Sequence, residues 1–436
     1  MKKRLYTIIG LVLTLAISFG LLSDNLIYAK STSDASTATG KAMKITKKSN
    51  ATQDEMIEGY NNFSFRALKE TVAAEKAGKN IMISPASLMF ALDMAAMGAK
   101  GKTFNQMASL IKKGATKRDL LNFAKNYRKT LENSGMIDIA NSIWINETNL
   151  KSNNIQINDG YLNLLRKQFK AAAASREFSD TVKDEINSWI SKKTKGMIPK
   201  TLDKLSPNSV MLIVNAMAFE GKWKHEYEVY QINENGEFTN YAGETETAKI
   251  LSSEENLYFE TPTEKGFMKY YEGDKYAFMA ILPLDDKISI NDYISGLSDN
   301  ALANMIDSIY YTEVDTVTPA FTFDYSTIMN SMLKKLGMKK AFTQSANFKL
   351  MLSADSRSIG LPLYIGSVIQ KTHIELDEKG TKAAAVTVID VVDGACPDPE
   401  YIQRKEVILN RPFAFVILDL ESGTPVFEGI VNTLKQ

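Results

Sequence analysis

Apolar residues first gather in a run from Tyr6 to Leu22 that holds no charge, behind Lys2, Lys3 and Arg4 and ahead of the small residue Ala29. That order predicts a secretory signal peptide over residues 1–29, cleaved after Ala29. Residues 30–53 are rich in Ser, Thr, Ala and Lys without apolar periodicity, which predicts a flexible spacer. From 54 to 436 the pattern is that of a folded domain. Phe65, Leu68 and Val72 fall at helical spacing and stop before Gly78. Ile81 to Ile83 reads as a short strand. Ser84 then suits a helix N-cap and Pro85 the first helical position, with Leu88, Ala91, Leu92 and Ala95 on one face. Residues 139–145, 210–219 and 276–283 are apolar runs of strand length, and Pro319, Phe321 and Phe323 alternate as an extended segment. Further helices are predicted from Tyr161 to Phe169, through Ile186, Trp189 and Ile190, and through Ile328, Met332, Leu333 and Leu336 up to Gly337. Phe413 to Leu418 and Thr424 to Val431 form a hairpin around Glu421-Ser422-Gly423.

The segment from Glu375 to Phe413 departs from these simple patterns. Glu378-Lys379-Gly380-Thr381 is a turn-like opening. Beyond it, Thr381, Ala383, Ala385, Thr387, Ile389 and Val391 fall on one face of an extended chain. Lys382 and Asp390, the two charges, fall on the other. The alternation breaks at Asp393, and Pro397 and Pro399 forbid a central strand further on. The chain therefore carries a strand-competent stretch, with one uncharged face of small residues at its start, that runs into a loop.

Composition narrows the chemistry. The 436 residues are 44% apolar and 24% charged with net charge +1, so no general affinity for nucleic acid or membranes is implied. Cys396 is the single cysteine, and an intrachain disulfide is excluded. With only His225 and His373, neither a Cys₂His₂ nor a His₃ zinc site can be assembled. Cys396 paired with either histidine could serve as thiol and base. But Cys396 lies in a proline-bounded loop, His373 in an alternating strand-like segment and His225 in a polar turn, so enzymatic activity is not expected. Lys112, Lys113, Lys117 and Arg118 form a basic cluster on a helical segment, read as a solvated face.

Several separated motifs resemble those of the serpins. Residues 378–387 follow that family's hinge pattern, E-K-G-T-x-A-A-A-x-T. Asn410-Arg411-Pro412-Phe413-Ala414-Phe415 and the ending Phe427 to Asn432 are similar to its downstream signatures. Asn215, Phe219, Gly221 and Trp223 match N-x-x-x-F-x-G-x-W, and the stretches around Ser84-Pro85 and Ile186-Trp189 also resemble family motifs.

The resemblance implies one mixed α+β domain with about nine helices around three β-sheets. One of those is a large five-stranded central sheet, and a reactive-centre loop is exposed. It implies a suicide-type inhibitor of a serine endopeptidase, its partner in a covalent acyl-enzyme complex, acting as a monomer without cofactor or metal. The loop hinge would comprise Glu378, Gly380, Thr381, Ala383, Ala385 and Thr387. Counting from Glu378, the cut bond would join Gly394 to Ala395, which suits the shallow pocket of an elastase-like or subtilisin-like enzyme. The region where the sheet opens would contain Ser84, Ser87, Asn215, Trp223 and Gln370. Many family members have histidine where this chain has Gln370, and the stretch from Ala395 to Asn410 is longer than is typical. A non-inhibitory binding protein of the same fold, or a cross-class inhibitor of a papain-like cysteine protease, are the alternatives. The leader and the lack of disulfides suit a bacterial protein secreted to the extracellular space.

Overall fold

A computed structural model describes residues 51–207, 209–358, 362–381 and 404–435. In chain order the elements are α1 (Gln53–Val72), β1 (Ile81–Ile83), α2 (Pro85–Gly98), α3 (Gly101–Ala108), α4 (Lys117–Asn133), β2 (Ile137–Asn146), α5 (Thr148–Ser152), α6 (Asp159–Leu164) and β3 (Ala172–Arg176). Next come α7 (Asp180–Lys193), β4 (Met211–Phe219), β5 (Gly221–Lys222), β6 (Ile232–Thr239), β7 (Thr245–Glu260), β8 (Glu264–Tyr270), β9 (Tyr276–Pro283), α8 (Ile290–Gly296) and α9 (Ala301–Asp307). The chain closes with β10 (Tyr310–Pro319), β11 (Phe321–Ile328), α10 (Asn330–Lys335), β12 (Ser367–Leu376), β13 (Gly380–Thr381), β14 (Lys405–Ile408), β15 (Phe413–Asp419) and β16 (Thr424–Val431).

The central sheet runs β3-β2-β4-β12-β13-β5, with β11 on the far side of β12. Its long strands β3, β2, β4, β12 and β11 are the five expected. The remaining strands form one continuous nine-stranded sheet in the order β1-β16-β15-β9-β8-β7-β10-β14, with β6 also on β7. Three sheets thus become two by hydrogen bonding, because β7 is long enough to pair with β6 and β10 along most of its length and with β8 at its end.

β4 is buried along its whole length because both faces are covered. Leu212, Val214 and Ala216 pack with Trp144 of β2 and with Val182, Ile186 and Ile190 of α7. On the opposite face, Met217 meets Ser84 at the start of α2, the Ser84 hydroxyl lying 3.2 Å from its sulfur. Ser84 caps α2 through the Ser87 amide, as its position before Pro85 predicts.

Four local expectations shift. Helix α1 opens at Gln53, one residue ahead of the expected domain start, because Thr52 caps it in a reciprocal capping box with Glu55. The predicted Tyr161–Phe169 helix divides into α6 and a π turn over Leu165–Phe169, closed by Lys170 at φ +54°. Ile328 ends strand β11 opposite Ile369 rather than opening a helix. The Asn330 side chain then fixes the start of α10, donating to the Gly366 carbonyl and accepting from the Val368 amide. The basic cluster does not share a face, because Gly114 at φ +84° turns the chain within it. Lys112 pairs with Glu55 at 2.9 Å, while Lys117, at the start of α4, donates to the Met97 carbonyl.

Candidate functional site: a hinge seated in a split sheet

β12 and β4 run parallel and adjacent from Ser367↔Leu212 to Lys371↔Ala216. Above that point β13 lies between them. Thr381 pairs with Leu376 of β12 on one side and with Gly221 of β5, the continuation of β4, on the other. The sheet is therefore closed at one end and split at the other, and Gly380 with Thr381, the first residue of the strand-competent stretch, already occupies the split.

Local chemistry holds the turn from Asp377 to Thr381. The Asp377 amide donates to the Gly380 carbonyl at 2.9 Å. Its carboxylate accepts from the amides of Lys379 at 2.8 Å and Gly380 at 3.1 Å. Burial raises the Asp377 carboxyl above its ordinary range, and those two amides oppose the shift. Gly380 is required by close approach, since a Cβ there would lie 2.2 Å from the Gly221 carbonyl oxygen. Glu378 pairs with Lys249 at 3.2 Å, and Lys249 also reaches Glu234 at 3.4 Å. Burial works to raise the Glu378 carboxyl, but its backbone amide and Lys249 outweigh this and hold it below the ordinary value.

Behind the turn stands an aromatic wall. The Trp223 indole N–H donates to the Asp377 carbonyl at 2.9 Å. The backbone amides of Trp223 and Tyr227 donate to the carbonyls of Lys379 and Glu378, each at 2.9 Å. Trp223 stacks on Tyr271 at 4.5 Å, and the Tyr271 hydroxyl lies 2.7 Å from Thr381 Oγ1. Lys269 sits against the Tyr227 ring at 4.3 Å and pairs with Glu255 at 2.7 Å, both partners largely buried.

A second, polar cluster lies where β12 and β4 still touch. The Gln370 Nε2 group donates to the Ser84 carbonyl at 2.8 Å and to Asn215 Oδ1 at 2.9 Å. Its Oε1 accepts from the Ser84 amide at 3.1 Å. The Ser84 hydroxyl donates to the Val426 carbonyl at 3.0 Å, and the Ser87 hydroxyl to Asn141 Oδ1 at 3.2 Å. All five polar residues are buried. Asn141 Nδ2 and Asn215 Nδ2 have no hydrogen-bond partner among the described residues. Gln370 thus staples the two strands that flank the split, while two amides beside it remain unsatisfied.

Of the residues expected where the sheet opens, Ser84, Ser87, Asn215 and Gln370 come together, and Trp223 instead stands at the hinge. Glu378, Gly380 and Thr381 form the turn itself. Ala383, Ala385, Thr387, Gly394, Ala395 and Cys396, with the leader and nearly all of the spacer, lie outside the described residues. His373 belongs to β12 and contacts Asp324 at 2.8 Å, and His225 is exposed. Asn141, Lys249 and Tyr271 were not anticipated. The polar Asn141-Ser142 pair inside an apolar strand was a usable signal for the first; nothing local marked the other two. On the distal side, Arg404 binds Glu254 at 2.8 Å and Glu313 and Asp315 each at 3.2 Å, anchoring the start of β14 beside β10.

What the described residues form is a sheet closed at one end and split at the other, with β13 seated in the split. Comparison with known proteins agrees in fold. The solved structure of the thermophilic serpin tengpin in its native state superimposes with TM-score 0.79 and 36% identity, covering 90% of this chain and 97% of that one. Tengpin in its latent state gives TM-score 0.71 at 33% identity, covering 87% of this chain and 98% of that one. Intracellular coagulation inhibitor 2 of Tachypleus tridentatus is 27% identical over 397 residues, 89% of this chain and 93% of that protein. The family model described as "Serpin (serine protease inhibitor)" matches residues 58–434, and the chain belongs to the serpin family.

Proposed function

We propose that this serpin traps a serine endopeptidase by offering its loop as substrate and then inserting the cut loop into the central sheet. Loop insertion of this kind is carried over from the family. The observation that carries the reading is the register of β13. Thr381 lies opposite both Leu376 and Gly221. Continuing that register sets Ala383 opposite Ile374 and Phe219, Ala385 opposite Thr372 and Met217, and Thr387 opposite Gln370 and Asn215. Gln370 and Asn215 are already partners, so the two flanking registers agree at the polar cluster.

Thr387 would arrive with a hydroxyl beside the unsatisfied Asn215 amide. The inward set from Thr381 to Thr387 contains no charge, so insertion buries no unpaired ion, which would cost several kcal/mol. At about 3.3 Å per residue, twelve to sixteen inserted residues carry the acylated enzyme roughly 40–50 Å. With Gly394 before the cut bond and Ala395 after it, the target is an elastase-like or subtilisin-like enzyme with a shallow pocket. The basic-apolar-small leader further supports export, with the inhibitor acting outside the cell as a monomer. Incubation with subtilisin or an elastase should give an SDS-stable complex of summed mass. Clean cleavage near Gly394 with full protease activity left would contradict the proposal.

A further inference from the structure

Tyr271 lies between β8 and β9, outside the central sheet, yet its hydroxyl reaches Thr381 at 2.7 Å. The ring is fixed independently of that bond: Trp223 stacks on it, Phe219 meets it edge-on at 4.7 Å, and a backbone bridge joins residues 223 and 271. Tyr271 and Thr381 are both buried. A buried hydroxyl left without its partner costs more than the net worth of the bond, so the pair resists separation. Starting a strand orders residues before cross-strand bonds reward the ordering.

We propose that Tyr271 is a positioning residue for loop insertion: its hydroxyl seats Thr381 as the first rung in the uncut chain, so that insertion elongates from a formed nucleus. The consequence for trapping rests on the proposed function; the seat itself does not.

Tyr271→Phe keeps the ring, its stacking and its edge contact, and removes one oxygen. In the uncut variant, hydrogen exchange across residues 377–381 should quicken about five- to tenfold. The inhibitor consumed per protease trapped should rise severalfold. Thr381→Val removes the same bond from the other side, so the double variant should be no worse than the poorer single one. Thr381→Ser, which keeps the hydroxyl, should behave as wild type. Phe123→Leu loosens a separate buried aromatic cluster, where Phe123 packs against Tyr60 and Tyr127; it should lower melting temperature without a comparable rise in inhibitor consumed. Unchanged exchange in Tyr271→Phe, additive effects in the double variant, or equal consumption by Phe123→Leu would overturn the proposal. Quickened exchange in variants of a chain that traps no protease would keep the seat and overturn the trapping reading.

Discussion

Replacing Thr381 with Arg tests whether the seated rung governs the outcome of cleavage. Thr381 is 2% exposed between Leu376 and Gly221, with its hydroxyl committed to Tyr271. A guanidinium in that slot has no anionic partner on Tyr271 or Gly221. Burying it unpaired costs several kcal/mol even after relaxation, and overpacking adds about 1–3 kcal/mol. The hinge is therefore expelled, and the uncut chain stays folded with β13 unformed. The lost hinge pairing is local, so its melting temperature should move by only a few degrees. Insertion after cleavage must either bury the arginine or start without its first rung. Taking a penalty of at least about 4 kcal/mol, and about 1.4 kcal/mol per decade of rate, insertion slows roughly a thousandfold. Deacylation is untouched. Side by side with wild type and subtilisin, Thr381→Arg should be cut at the same bond and released, with trapped product below about 1%. Trapping at the wild-type ratio would refute both the parity argument and the role assigned to the seat.

Three further outcomes follow. Nicking the loop should raise the melting temperature by tens of degrees at one scan rate, because an added central strand brings ladder hydrogen bonds and buried area; an unchanged curve would argue against insertion. Gln370→Leu removes the side-chain staple to Asn215, so spontaneous loss of trapping capacity on warming should speed up about fivefold, read as residual capacity against time. Glu428 on β16 is fully buried, and burial pushes its carboxyl up to about 8 from an ordinary 4.5. A carboxyl raised on folding favours the native state below about pH 4.5 and loses that contribution as pH rises through about 8. Thermal melts from pH 5 to 7 should therefore fall with pH, and Glu428→Leu should flatten the fall; above pH 7, Lys117, held down at about 7 by burial, works in the opposite direction. Buried Asp93 and Asp419, shifted in the same direction, would leave a residual slope.

Elements held by local signals were readable from the residues alone. The apolar run of β4, interrupted only by Asn215, the Ser84-Pro85 start of α2 and the β15–β16 hairpin lie where pattern and turn chemistry put them. Inaccuracies arose where tertiary contacts decide. Ile328 fits a helical stripe with Met332 and Leu333, but pairing with Ile369 keeps it in β11. The basic run read as one face until Gly114 folded it apart. At the site, alternation from Thr381 onward showed which residues could face inward. It did not show that Thr381 is already inside, because that depends on Gly221 and Tyr271, which are distant in sequence. Tyr271 carried no mark of its own: a buried tyrosine between two strands looks like core until its hydroxyl is followed to the hinge.

The central claim concerns two strands that must part. In the uncut chain, Gln370 and Asn215 are adjacent partners joined by a 2.9 Å side-chain bond. The most direct measurement is a crystal structure of the chain cut in its loop. The account predicts β12 and β4 separated by one inserted strand, about 9.6 Å apart, twice the usual spacing. Thr387 should lie between Gln370 and Asn215, and the bond joining those two side chains should be broken. A cut chain in which Gln370 still bonds Asn215, with β12 and β4 still neighbours, would contradict it.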